Sequence, residues 1–176
     1  MTKILGFDAS SSTVGWCVLE DKNGKPKFVE CGYFKPAKKG GVFERLKDLK
    51  TKTIEIIEKY NPDEIAIEEI MKFLAGGSTA TTIISLATVN RTVGLACYEH
   101  TGKEPSLCSV MAIRHKLKYG KVFPKKNEIP ALVEKHLDIT LPIIYGKKQQ
   151  IKPETYDIAD GCAVALYHYY KLMEKK

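Results

Sequence analysis

The sequence lacks several features that would place it in common protein classes. No apolar run approaches the roughly 20 residues of a membrane-spanning helix, and no stretch near the N-terminus has the length of a signal peptide. The five cysteines are odd in number and include no Cys-x-x-Cys pair. The four histidines have no ligand-like spacing to them, which disfavours a zinc site. We therefore expect free thiols in a reducing, cytoplasmic compartment.

Composition predicts one folded domain with a polyanionic partner. The 176 residues are 44% hydrophobic and 28% charged, with a net charge of +7 and a pI of about 9.0. A chain of this length is most simply one domain, residues 1–176, that buries roughly 70% of its unfolded surface. Nucleic acid is the usual partner of so basic a chain.

The order of elements predicts a mixed α/β domain. Apolar periodicity and turn signals indicate the following elements: strands over 3–8, 14–20, 27–34, 64–68 and 106–110, and helices over about 42–60, 78–100, 127–137 and 155–173. The second and third strands form a hairpin at one edge of the sheet, and parallel strands linked by crossovers lie beyond it. The sequence predicts Ser78 as the N-cap of the long helix over 78–100. The small and β-branched residues of that helix predict that it is largely buried, at a subunit interface.

Four acidic residues in three separated segments are the main candidates for chemistry. Asp8 and Glu68 each close a strand-like run, while Asp157 and Asp160 are three residues apart at the start of an amphipathic helix. A single acid at such a place is often only solvated or interacts with the helix dipole. Four together suit Mg²⁺, which prefers hard oxygen ligands. The set predicts a two-metal phosphodiesterase site in which paired ions clamp the attacking and leaving oxygens.

A basic segment over residues 111–128 supplies candidate contacts to nucleic acid. It contains one acid, Glu128, against six cations. They are Arg114, Lys116, Lys118, Lys121, Lys125 and Lys126. Cations outside an acidic site match a phosphodiester substrate, because they can hold its backbone while metal ions act on the scissile phosphate.

Three segments resemble one family. Gly6-Phe7-Asp8 with Gly15-Trp16, then Ile65–Glu68, then Asp157–Asp160 with His168, are similar in order and spacing to RuvC-type Holliday junction resolvases of the RNase H-like superfamily. The resemblance implies an RNase H-like fold with a five-stranded mixed sheet, a homodimer, and nicking of two strands at a four-way DNA junction. It also implies that Asp8, Glu68, Asp157 and Asp160 bind Mg²⁺, with Mn²⁺ as a substitute, and that Lys116 and Lys126 assist catalysis and hold DNA.

The sequence departs from the family pattern at two places. Ala9-Ser10 follows Asp8 where bacterial members usually have Pro-Gly, and Met71 stands at the aromatic position that wedges the junction open, with Phe73 two residues later. Both departures resemble the divergent phage-type branch. They imply broader cleavage of branched DNA, in the cytoplasm of a prokaryotic or phage-infected cell.

Other functions fit parts of the sequence. Asp8–Thr13 is similar to the first phosphate loop of actin/hexokinase-type phosphotransferases, although the length and the absence of a second phosphate loop disfavour that class. A DNA-binding module without activity would gain nothing from four converging acids. An RNA-directed RNase H, or a fragment of an RNA-guided effector, remains open within the nucleases.

Overall fold

The fold is built on a mixed five-stranded sheet. A computed structural model describes residues 2–70 and 79–174. The strands are β1 (Lys3–Ala9), β2 (Val14–Lys22), β3 (Lys25–Phe34), β4 (Glu64–Glu69) and β5 (Ser106–Ser109), in the spatial order β3-β2-β1-β4-β5. The helices are α1 (Val42–Tyr60), α2 (Ala80–Thr101), α3 (Val110–Leu117), α4 (Ile129–Leu137) and α5 (Pro153–Met173). The predicted mixed sheet is confirmed, and none of the described helices is long and apolar enough to cross a membrane.

The antiparallel half of the sheet follows from a tight turn. Asn23 and Gly24 both have positive φ, 55° and 76°, and they join β2 to β3. An Asn-Gly pair in this conformation matches the right-handed twist of a hairpin. The predicted hairpin is confirmed, and both strands run closer to the turn than the sequence indicated.

The parallel half carries two of the candidate acids to one edge. β1 pairs with β4 in parallel register, with Phe7 opposite Ile67, and β4 pairs in the same way with β5. Asp8 and Glu68 are the next residues on their strands. They therefore leave neighbouring strands side by side, at the carboxyl end of the sheet.

Helices cover both faces of the sheet. On one face, α1 and α2 bury a cluster that includes Phe7, Trp16 and Ile67. On the other face, α3, α4 and α5 bury a second cluster that includes Ile4, Cys17 and Ala66. Because side chains alternate along a strand, Asp8 and Glu68 point to the face that α5 covers.

Helix α2 begins later than predicted, and within one chain it is covered on one side only. Its N-cap is Thr79, whose hydroxyl accepts a hydrogen bond from the Thr82 N–H at 3.2 Å; the predicted cap, Ser78, lies outside the described residues. Within one chain Leu95 and Tyr98 are about half exposed, at 53% and 49%, so the predicted burial at a subunit interface stays a prediction. Small and β-branched residues indicated burial, but only the side that faces α1 and the sheet is covered.

The basic segment contains a helix that its lysines concealed. Residues Val110–Leu117 form α3, which begins where the predicted fifth strand was expected to end. Ile113 and Leu117 lie one turn apart and are buried in the cluster that α3, α4 and α5 cover. Two apolar positions among many cations are a weak periodic signal, so the helix follows from tertiary packing more than from its own pattern.

Candidate active site

The candidate acids of β1 and β4 are held by the sheet. Asp8 is buried, and Glu68 is half-buried beside it. On α2, the Asn90 amide donates a hydrogen bond to the Glu68 backbone oxygen at 2.9 Å. This bond fixes the strand end from which the Glu68 carboxylate projects.

The acids of α5 reach the same place because that helix packs directly on backbone. A Cβ added at Gly161 would lie 2.7 Å from the Trp16 nitrogen and 2.8 Å from the Gly15 carbonyl carbon. A Cβ added at Gly15 would overlap the Asp157 carbonyl. Gly15 in turn pairs with Asp8 across the sheet. Because Gly15 and Gly161 carry no side chain, the first turns of α5, with Asp157 and Asp160, can pack directly against β1 and β2.

All four acids line one cavity of about 180 Å³. Its walls come from the ends of β1 and β4, from α2, from the start of α3, and from α5. The predicted acids there are Asp8, Glu68, Asp157 and Asp160, joined by Glu69 and by the cations Arg114 and Lys126. Three distant parts of the sequence therefore meet in one pocket, as their positions predicted.

The carboxylates raise one another's pKa. Burial raises the pKa of Asp8 well above its usual value, and the negative charges of Glu68, Asp160 and Asp157 raise it further. Burial, together with the charge of Asp160, raises the pKa of Glu68 to about 7. Burial also raises the pKa of Asp157 and of Asp160. A group of acids that is costly to ionise together attracts a cation.

Two cations of the basic segment partly balance this charge. The Lys126 ammonium lies 3.3 Å from Asp160 Oδ2. Burial alone would lower the pKa of Lys126, but Asp160 and Asp8 raise it above its ordinary value. Arg114 lines the cavity and lowers the pKa of Glu68 and Asp160.

The residues of the cavity fit a hard divalent cation by their chemistry. Carboxylate oxygens are the ligands that such ions prefer, and the positive charge of an ion would relieve the repulsion that raises their pKa values. Within residues 2–70 and 79–174, no three acidic, cysteine or histidine side chains are grouped closely enough to hold an ion as they stand. Binding therefore requires the carboxylates to turn toward a shared ion.

The raised pKa values predict a pH-dependent stability of the metal-free protein. The pKa of Glu68 rises from its ordinary value of 4.5 to about 7 on folding. Between pH 4.5 and pH 7 the folded state therefore binds more protons than the unfolded state. The free energy of unfolding contributed by this group therefore falls as pH rises through that window. We expect Glu68→Gln to reduce this slope in chemical denaturation between pH 5 and pH 8, with a chelator present. Identical slopes in the two proteins would show that the pKa of Glu68 does not rise on folding.

The other predicted residues lie outside the cavity lining. The Lys116 ammonium pairs with Glu174 and lies 5.7 Å from the centre of the Tyr170 ring. Lys121 and Lys125 are exposed in the segment that follows α3, and Lys118 is the C-cap of that helix. Met71 and Phe73 lie outside the described residues. Their predicted DNA contacts therefore stay predictions.

Sequence reasoning missed three contributors to the site. Asn90 is 2% exposed and holds the Glu68 backbone from a helix that follows more than ten residues later. The side chain of the buried Thr13 lowers the pKa of Asp157. Arg114 was predicted only as a DNA contact, yet it lines the cavity where Lys116 does not. No spacing pattern could identify Asn90, because its partner is a backbone atom.

Comparison with known proteins agrees with this geometry. The sequence profile of the family described as "Crossover junction endodeoxyribonuclease RuvC" matches residues 4–168. The chain belongs to this family. RuvC membership makes it a crossover junction endodeoxyribonuclease of a metal-dependent class, and supports that function over a phosphotransferase or a DNA-binding module without activity.

Individual relatives are distant in sequence but similar over the whole chain. The RuvC of Christiangramia forsetii is 26% identical over 168 residues, which cover 95% of this chain and 79% of the relative. The Thermus thermophilus RuvC in complex with a Holliday junction substrate is 19% identical, with a TM-score of 0.73 over 98% of this chain and 96% of that one. The yeast mitochondrial Holliday junction resolvase Ydc2 is 13% identical, with a TM-score of 0.64 over 99% and 81%. The two structures confirm the RNase H-like fold.

Proposed function

We propose that this protein resolves four-way DNA junctions by paired nicks, through hydrolysis of phosphodiester bonds with divalent metal ions. The observation that carries the proposal is the single cavity in which Asp8, Glu68, Asp157 and Asp160 meet. Such an anionic pocket on a chain of net charge +7 separates the metal-binding chemistry from the surface that attracts DNA.

The four carboxylates would hold the ions, and Mg²⁺ is the proposed metal, with Mn²⁺ as a substitute. When bound, paired ions supply an activated water and neutralise charge on the leaving oxygen. Asp8 would contribute as an ionised ligand from β1, which is paired on both sides, by β2 and by β4, and the Asn90 amide keeps the Glu68 strand end in place. No protein nucleophile is required.

The cations of the basic segment would divide between the site and the DNA backbone. Lys126 and Arg114 face the cavity, where they can stabilise negative charge on the reacting phosphate. Lys118, Lys121 and Lys125 would hold the backbone. Lys116 stays a predicted catalytic residue; its ammonium would have to leave Glu174 to reach the site. Met71 and Phe73 stay predicted contacts at the junction centre.

The proposal is tested with a set of synthetic DNAs. Four-way, three-way, flap and linear substrates are incubated with the protein and either Mg²⁺ or Mn²⁺. We expect paired nicks in the four-way junction, slower cutting of the other branched DNAs, none in linear duplex, and none with a chelator. If neither ion supports cleavage of any branched DNA, the proposed function is wrong.

The substrate's two-fold symmetry and an exposed stripe on α2 support a homodimer. Five residues follow one another on this helix at intervals of four, three, four and three. They are Ile84, Thr88, Arg91, Leu95 and Tyr98. Ile84 is 64% exposed and Leu95 is 53% exposed. Such spacing places all five on one face, as in the seam of two packed helices. We propose that a second copy of the chain covers this face.

Leu95→Glu is expected to convert the dimer to a monomer, because it replaces an apolar side chain of the stripe with a charge that the interface would have to desolvate. Sedimentation measures the change. Val122→Glu is the matched control: Val122 is 79% exposed, outside α2, so the same charge should leave the dimer intact. A monomeric wild-type protein, or a dimeric Leu95→Glu variant, would rule out this interface.

A further inference from the structure

A second cavity adjoins the candidate active site. It has a volume of about 320 Å³ and is lined by Lys126, Asn127, Ile151, Pro153, Tyr156 and Asp157. Lys126 and Asp157 also line the metal cavity, so the two spaces share a wall. The volume is at the lower end of the roughly 300–1,000 Å³ of small-molecule sites. A group joined to the reacting phosphate could therefore enter it.

The outer wall of this second cavity is a loop held in place by hydrogen bonds. Residues 145–151 form a small loop closed by an antiparallel bridge between Tyr145 and Ile151. The Lys152 N–H donates to the Ile144 oxygen at 2.8 Å, and the Ile144 N–H donates to the Thr155 hydroxyl at 2.9 Å. These bonds fasten the loop to the first turn of α5. Ile151 is therefore held beside Tyr156 before any ligand binds.

The lining has the chemistry of a site for a flat, partly polar ring. Tyr156 offers an aromatic ring, while Ile151 and Pro153 add apolar surface. Asn127 brings an amide that can both donate and accept hydrogen bonds. Lys126, between the two cavities, can pair with a phosphate. Proteins recognise unstacked nucleobases by this combination of an aromatic face and an amide.

We propose that this second cavity, the base pocket, binds the nucleobase next to the scissile phosphate and biases which nucleotide is cut. The inference rests on the proposed function, since a phosphate held at the Asp157 side of the metal cavity brings its own nucleotide to the shared wall. A base that is unpaired near a junction is free to enter. Tyr156 is then a binding residue for the substrate, not a metal ligand.

Two measurements test the base pocket. Nick positions are first mapped for the wild type on junctions that differ only in the bases flanking the cut. 2-Aminopurine is then placed at the mapped flanking position, and its fluorescence is followed on binding with a chelator present. We expect unequal cutting among the four bases, and quenching of the probe as it stacks. In Tyr156→Ala the bias should flatten, and affinity should fall roughly tenfold, as expected for the loss of one stacked base.

Matched variants separate the base pocket from general damage. Tyr156→Phe keeps the ring and should retain both the bias and the quenching. Asn127→Ala, at an exposed position, should alter which base is preferred while leaving the fold intact. Phe43→Ala removes an aromatic ring that is 85% exposed on α1, and it should change neither the nick bias nor the quenching of the probe.

Failure of the base pocket can be distinguished from failure of the proposed function. A wild type that cuts no junction contradicts the proposed function itself. A wild type that cuts all flanking bases equally overturns only the base pocket. The same holds if Tyr156→Ala and Asn127→Ala both keep the wild-type nick distribution and the probe's fluorescence change.

Discussion

Asp8→Asn is expected to lower junction cleavage by about 10³-fold while raising the stability of the metal-free protein. The carboxylate is buried with three other acids, and both its burial and their charges make its ionised form costly. Removing one metal-binding oxygen forfeits several kcal/mol of transition-state stabilisation, at tenfold in rate per ~1.36 kcal/mol. Removing the charge relieves repulsion in the folded state. Cleavage under single-turnover conditions and thermal unfolding with a chelator measure the two effects.

Opposite changes in rate and stability distinguish a metal site from a structural role. Asp138→Asn is the matched control, because Asp138 is exposed with φ of 53°, a conformation that asparagine tolerates. That variant should cut and unfold as the wild type does. Junction binding should persist in both variants, since neither change removes a cation. Cleavage at the wild-type rate by Asp8→Asn would refute the assignment of this residue.

The placement of the acids was predictable because it depends on strand ends. Apolar runs that close on Asp8 and Glu68 identify two strands, and parallel pairing of those strands brings the two residues together. An interval of three residues put Asp157 and Asp160 on one side of a helix. Local pattern was sufficient where each position was fixed by one regular element.

The rest of the site depends on contacts that no local pattern carries. The Asn90 amide on α2 donates a hydrogen bond to the backbone oxygen of Glu68 on β4. Arg114 turns into the cavity because Ile113 and Leu117 bury the neighbouring side of α3. Composition alone could not distinguish which cations in residues 111–128 lie at the site. Only packing separates Lys126, beside Asp160, from Lys116, which pairs with the C-terminal Glu174. The wall of the base pocket likewise depends on a loop that has no periodicity.

The close packing of α5 on the backbone of β2 predicts a large effect on stability. Gly161 and Gly94 are both interior helical glycines, on α5 and α2, so Gly→Ala should add the same helix propensity at each, about 1 kcal/mol. Their surroundings differ. A Cβ at Gly94 would lie 3.7 Å from the Ile67 side chain, an ordinary contact, whereas a Cβ at Gly161 would lie 2.7 Å from the Trp16 backbone nitrogen. Backbone cannot turn aside as a side chain can.

Gly161→Ala is therefore expected to lower the free energy of unfolding by about 2 kcal/mol or more, and Gly94→Ala to raise it by up to about 1 kcal/mol. Urea unfolding measures both. Because Asp160 precedes Gly161, lifting α5 from β2 should also carry Asp157 and Asp160 away from Asp8. Gly161→Ala should then lose cleavage even at temperatures where it remains folded, while Gly94→Ala cuts normally. Equal stability changes in the two variants would show that α5 does not depend on glycine to reach the sheet, and would remove the physical basis for the shared cavity.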